Sequence, residues 1–138
     1  MNTSPWSAIV LTCPSLEYAY AVQRELDLYQ SKGKIPADAL LLAIDDPKPG
    51  IGSGSATLNA LLVVTEHLSA RAGYTVVEAQ VLKNARILIL HMGHYFPFSS
   101  VGRGFTALPC MRYDSSYAAV PENFASNLEN LLVTLTLI

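Results

Sequence analysis

The sequence predicts an α/β layer architecture with a parallel sheet and flanking helices, on three observations. Residues 6–12, 39–44 and 86–91 are short apolar runs of the length and continuity expected of strands covered on both faces. Segments with apolar residues at helical spacing separate them. Each run stops at a turn signal, and the order strand, helix, strand, helix, strand with right-handed crossovers makes neighbouring strands parallel. The 138 residues, 51% of them apolar, suit one ordinary domain.

The first run, Trp6 to Thr12, ends at Cys13-Pro14. Ser15 then stands where a helix cap is needed, ahead of Tyr18, Val22, Leu26 and Tyr29 at helical spacing, with Gly33 as the stop and Pro36 just beyond. Glu17, Arg24 and Asp27 mark the wet face. The second run, Ala39 to Ile44, exits through Asp45-Asp46-Pro47 into a glycine-rich turn. A second helix is expected from Ser55 or Ala56, with Leu58, Leu61, Leu62, Thr65, Leu68 and Ala72 on its inner face, Arg71 in its last turn and Gly73 as its stop. Tyr74 to Val77 reads as a short edge strand, Val81 to Ala85 as one helical turn, and Arg86 to His91 as the third buried strand. Met92 to Pro121 is rich in Gly, Ser, Pro and aromatics without a period, so a long loop is expected. A last helix should start at Pro121-Glu122 and run through Phe124, Leu128, Leu131 and Leu135. The terminal Leu-Leu-Val-Thr-Leu-Thr-Leu-Ile is apolar or threonine throughout, and reads as a cut end rather than a finished one.

Composition narrows the function classes. Nine Lys plus Arg against eleven Asp plus Glu, with the basic residues scattered, argue against nucleic acid as a partner. No apolar stretch approaches the roughly 20 residues of a bilayer-spanning helix, and no basic residue precedes the first apolar run as in a secretion signal. Two cysteines, Cys13 and Cys110, make neither a disulfide framework nor a zinc site, which fits a reducing, cytoplasmic setting.

Ligands of parallel α/β sheets sit at the carboxyl ends of the strands. There the chain places Gly50-Ile51-Gly52-Ser53-Gly54-Ser55-Ala56-Thr57-Leu58-Asn59, between a strand and a helix. Glycines let amides turn inward and a helix start adds partial positive charge, so Gly52, Ser53, Gly54, Ser55, Thr57 and Asn59 are candidates for holding phosphate. A plain flexible connection is the alternative. The spacing is neither a Walker loop, which needs Gly-Lys-Ser/Thr, nor a dinucleotide fingerprint. Asp45 and Asp46 lie beside the turn, where Asp46 is a candidate for magnesium on bound phosphates, with turn initiation as the other reading. His91 and Gly93 close the third strand; an imidazole there can donate to phosphate or pack under the loop. Arg103, between two glycines, offers a forked guanidinium or a solvated surface charge. Cys13 reads as a buried thiol.

The blocks Ile9-Val10-Leu11-Thr12-Cys13, Val22-Gln23-Arg24-Glu25-Leu26, Asp46-Pro47 through Leu62, Glu66 through Gly73, and Ile87 through Gly93 resemble the amino-terminal region of the L-fucokinase family. The resemblance runs over nearly the whole chain and weakens after Pro109. At His94-Tyr95 and Ser99-Ser100 the chain departs from the family pattern, which carries charged residues there. The resemblance implies a partial Rossmann-like, nucleotidyltransferase-like fold over residues 1–138, akin to fucose-1-phosphate guanylyltransferase, with the kinase chemistry in a carboxyl-terminal domain of the GHMP class that these residues do not include. It implies ATP or GTP with Mg2+ as cofactors, and L-fucose or fucose 1-phosphate as further ligands. The turn from Gly52 to Thr57 would be the nucleotide-phosphate loop, faced by a second loop carrying His91, Gly93 and Arg103. Three functions follow as expectations: part of an ATP-dependent L-fucose kinase, a nucleotidyltransferase-like nucleotide-binding module, or a non-catalytic truncated fragment.

Overall fold

The computed structural model describes residues 4–48, 51–92, 109–111 and 124–136. The chain divides into two compact units, Met1–His94 and Tyr95–Ile138.

In the first unit, strand β1 (Ala8–Cys13) is buried along its whole length because a parallel neighbour flanks it on each side. The order is β2-β1-β3, with β2 at Leu40–Asp45 and β3 at Ile87–His91. The register pairs Cys13 with Asp45 on one side and Thr12 with His91 on the other. The predicted mixed α/β architecture with a parallel sheet is thus present, a three-stranded piece consistent with a partial Rossmann-like fold.

Helix α1 (Leu16–Ser31) starts where expected: Ser15 Oγ accepts from the Tyr18 amide at 3.2 Å. Ala19, Val22, Leu26 and Tyr29 are its buried stripe, Ala19 taking the place expected for Tyr18. Gly33, at φ +74°, ends it, with its amide on Gln30 O and the Lys34 amide on Tyr29 O, the 5→2 and 6→1 bonds, in that order, of a glycine C-cap. Two glutamines of α1 cover the outer edge of β2. Gln23 Nε2 donates to Leu41 O at 3.0 Å while its Oε1 accepts from the Ala43 amide at 2.7 Å, so one side-chain amide replaces a neighbouring strand. Gln30 Nε2 donates to Ala39 O at 2.8 Å.

Helix α2 (Ser53–Arg71) corrects the sequence reading twice. It begins at Ser53, two or three residues earlier than expected, because Gly52 at φ +86° turns the chain directly into the first turn. Its inner face keeps the expected Thr65, which is buried, and Leu68, which packs against the core, but not all of the expected leucines. Leu58 and Leu62 are 67% and 66% exposed and Ala72 is exposed, whereas Ala56, Ala60 and Val64 are buried. Ala60 and Val64 pack with Ala8 and Val10 of β1 and Leu40 and Leu42 of β2, joined by Ile87 and Ile89 of β3. A helix crossing close over a buried strand presents its small side chains to the sheet; Val63 and Leu68 flank that contact, and Leu58 and Leu62 face away from it.

Residues 74–77 form no strand: Val76 and Val77 are more than half exposed, and without a neighbouring strand β-branched residues have nothing to pair with. The expected helical turn is a 3₁₀ turn at Ala79–Leu82. Strand β3 is half-buried rather than buried, with His91 exposed.

In the second unit, β4 (Pro109–Met111) pairs antiparallel with β5 (Phe124–Ser126), so the expected loop over 92–121 contains a strand. Helix α3 (Asn127–Thr136) begins five residues after Glu122, and Phe124 belongs to the strand. Ser126 Oγ accepts from the Glu129 amide at 3.1 Å, and the Ser-x-x-Glu spacing is the start signal that decides against Pro121-Glu122. Leu128 and Leu132 are its buried positions, while the expected Leu131 is 46% exposed.

Candidate phosphate site

At the carboxyl end of the sheet, alternate residues divide between two faces. On the α2 face, Thr12 and His91 stand in register on adjacent strands, and the first turns of α2 lie over them. Thr57 Oγ1 donates to Ser53 O at 2.7 Å, which commits its hydrogen. His91 Nε2, 3.2 Å from Thr57 Oγ1, is therefore the donor in that contact. In the neutral ring Nδ1 is then the acceptor, and the Thr12 hydroxyl donates to it across 2.9 Å. One imidazole thus ties the ends of β1 and β3 to the start of α2. The sheet places β1 between β2 and β3, yet His91 reaches the turn that follows β2, because α2 crosses back over the sheet.

That helix start is open. Gly52 supplies no side-chain cap and the first turn holds no acidic residue. Ser53, Gly54 and Ser55 are exposed, and Ala56 is the first residue whose amide reaches back to Gly52 O, at 3.0 Å. The first amides of a 19-residue helix, with the partial positive charge of its macrodipole, therefore face solvent beside the β1/β3 edge. Such a place takes an anion with no further machinery. The Gly52 turn tolerates little change, since an L side chain is strained at φ +86° although nothing lies within 4 Å of where its Cβ would stand.

Asn59, six residues into α2, directs Nδ2 to Asp45 O at 3.5 Å and tethers the helix to the end of β2. The Asp46 amide donates to Cys13 O at 3.0 Å, extending the β1–β2 pairing by one residue, and its half-buried carboxyl group belongs to the same strand end. Among the described residues no three His, Cys, Asp or Glu side chains come together as a metal cluster. Gly93 and Arg103 lie outside the described residues, as do Gly50, His94 and Ser99.

On the opposite face the end of the sheet has another character. Cys13 is fully buried, and burial first, then the charges of Asp46 and Asp45, push its thiol up to about 12. It is an inert, protonated thiol at neutral pH.

Two participants escaped the sequence reading. Thr12 is 4% exposed, and its signal was a lone hydroxyl in the run Ile-Val-Leu-Thr-Cys. Gln23 is a half-buried polar residue in a helix, and nothing local marks it as the partner of a strand edge. No helix among the described residues is long and apolar enough to cross a membrane.

Against known proteins, the chain is 31% identical over 131 residues to a bifunctional fucokinase/GDP-fucose pyrophosphorylase from Arabidopsis thaliana. That match takes in 84% of this chain and only 12% of the relative's length. No family model matches, and no solved structure matches.

Proposed function

We propose that the chain is a nucleotide-binding α/β unit of a fucose-salvage enzyme of the L-fucokinase kind, and that it seats nucleotide phosphate on the open first turn of α2. The observation that carries this reading is the uncapped, acid-free helix start at the carboxyl edge of a parallel sheet. The similarity to a fucokinase/GDP-fucose pyrophosphorylase supplies the substrate class. Backbone amides of Ser53, Gly54 and Ser55 do the holding, with Gly52 setting the turn and His91 and Thr57 fixing its position. ATP or GTP enters with Mg2+. Magnesium is commonly held by one or two carboxylates plus substrate phosphates, a role for which Asp46 is the candidate as the carboxylate at the end of β2 that precedes the turn in sequence; the ion would neutralise phosphate charge there. Phosphorylation of L-fucose is assigned to a GHMP-class domain outside these 138 residues, and the front, nucleotidyltransferase-like part to this chain.

Calorimetric titration of the chain with GTP, ATP and fucose 1-phosphate tests the reading. Binding of at least one nucleoside triphosphate, lost at high salt as an electrostatic seat requires, is the expected result. Silence towards all three at millimolar concentrations overturns it and leaves the non-catalytic fragment. In a coupled assay for ADP release with L-fucose the chain alone is expected to give no turnover.

A further inference from the structure

A cleft of about 370 Å³ opens beside the carboxyl end of β2, between the first turns of α1 and the second and third turns of α2. It shares no lining residue with the turn from Gly52 to Thr57. That volume is near the lower end of the range for small-molecule sites, roughly 300–1,000 Å³.

Its chemistry is one-sided. Leu16, Ile44 and Val63 give aliphatic walls, and the Tyr20 ring, 63% exposed, stands at its rim. Among the described residues of the lining, Asp45 is the single ionisable carboxylate and no side chain is basic. Among the described residues, the bond that involves Asp45 outside the sheet is the one its backbone carbonyl accepts from Asn59, which leaves the carboxylate for a ligand. An anion is repelled here. A neutral apolar ligand would cover the walls and leave the charge without a counter-ion, at the cost that accompanies burying an unpaired carboxylate. A cation on an aliphatic stem satisfies both: the ammonium meets Asp45 and the face of Tyr20, and the methylenes lie along Leu16, Ile44 and Val63.

We infer that this cleft binds a primary ammonium group carried on a short aliphatic stem, a ligand separate from any nucleotide at the start of α2. The same strand end already shows its negative field elsewhere, since Asp46 and Asp45 act on the Cys13 thiol in addition to its burial.

The test is a titration of the full chain at neutral pH with n-hexylamine, n-hexanol and hexanoate, followed by calorimetry and by amide chemical shifts around residues 16–20 and 43–47. The amine is expected to bind about tenfold or more tighter than the alcohol, as a charge-assisted hydrogen bond implies, and hexanoate the weakest. Asp45→Asn should erase the preference for amine over alcohol while leaving the alcohol unchanged, and Tyr20→Ala should weaken the amine severalfold. A capped Gly-Lys-Gly peptide separates the sources: binding equal to the amine assigns a protein lysine, and weaker binding a free amine. Equal binding of amine and alcohol by the unaltered chain, a preference that survives in Asp45→Asn, or no binding of the amine overturns the inference. Each of these leaves nucleotide binding to be judged by its own titration.

Discussion

Helix α1 and helix α2 both start just beyond the same edge of one sheet, and they start in opposite ways. At α1, Ser15 has extended backbone at φ −146°, its hydroxyl takes the Tyr18 amide, and Glu17 places a carboxylate in the first turn. At α2, Gly52 turns at φ +86°, no side chain caps the helix, and no acid occupies the first turn. A helix start carries orphan amides and partial positive charge whatever its sequence, so the first is closed by the chain's own oxygen atoms and the second has no side-chain cap and no acid of its own. The sheet faces beneath follow suit. The α1 side ends in Cys13 beside the acidic pair, and the α2 side ends in Thr12 and His91, whose polar atoms are spent on holding the open turn in place.

The sharpest way to break this contrast is to cut the tie. His91→Ala leaves the 4%-exposed Thr12 hydroxyl without its imidazole partner and frees Thr57 from β3. Losing a buried partner costs about 1–3 kcal/mol, so urea unfolding should show a loss of that size. Amide exchange should speed up at residues 56–60, the first bonded amides of α2, and stay unchanged at 19–23, those of α1. Equal acceleration at both helix starts would show that the tie is not specific to α2.

The closed side should reveal its acidity in alkali. The Cys13 thiol titrates at about 12 in the folded chain against 9.0 for the unperturbed group, so the folded state keeps a proton that the unfolded state loses. Stability from this group is full below pH 9 and falls as the pH rises towards 12, by about 1.4 kcal/mol for each pH unit at most. Cys13→Ala should flatten that part of the profile. An unchanged alkaline slope in the variant would place its source elsewhere. Ser15→Ala comes next, with a loss of about 1 kcal/mol from the missing cap and no change in anion binding, as measured by the same unfolding and calorimetry.

Much of this contrast was legible in the sequence, and the parts that were not share a cause. Strands β1 to β3, the Ser15 cap and the glycine stops rest on local signals, because continuous apolar runs, hydroxyls and glycines at turn positions act within a few residues. The inner face of α2 depends on what it packs against. Apolar residues stand on both sides of the helix, Leu58 and Leu62 opposite Ala60, and only the closeness of the sheet selects Ala60 and Val64. Residues 74–77 and Phe124 show the same dependence in reverse: β-branched side chains stay out of a sheet when no neighbour is present, and an aromatic at the edge of a helical pattern joins a strand when one is. The glycine turn and His91 were visible separately. Their meeting through Thr57, and the place of Thr12 under both, required the strand order and the register.

The smallest expected effect is the most discriminating, because it converts the open start into a closed one. Ser53 is exposed at the first position of α2, so Ser53→Asp adds a carboxylate without disturbing packing. If the first turn is an unused pole of the helix dipole, the substitution should stabilise the chain by about 0.3–1 kcal/mol, at low ionic strength only. If that pole is also where phosphate rests, inorganic triphosphate should bind several times more weakly to the same variant, since the new charge occupies the field and repels the ligand. Ser53→Asn separates the two contributions: it keeps the size of the side chain and removes the charge, so it should give neither the stability gain nor most of the loss in binding. Stabilisation with undiminished triphosphate binding would mean that the helix start is open but is not the seat, and the contrast between α1 and α2 would then concern helix energetics alone.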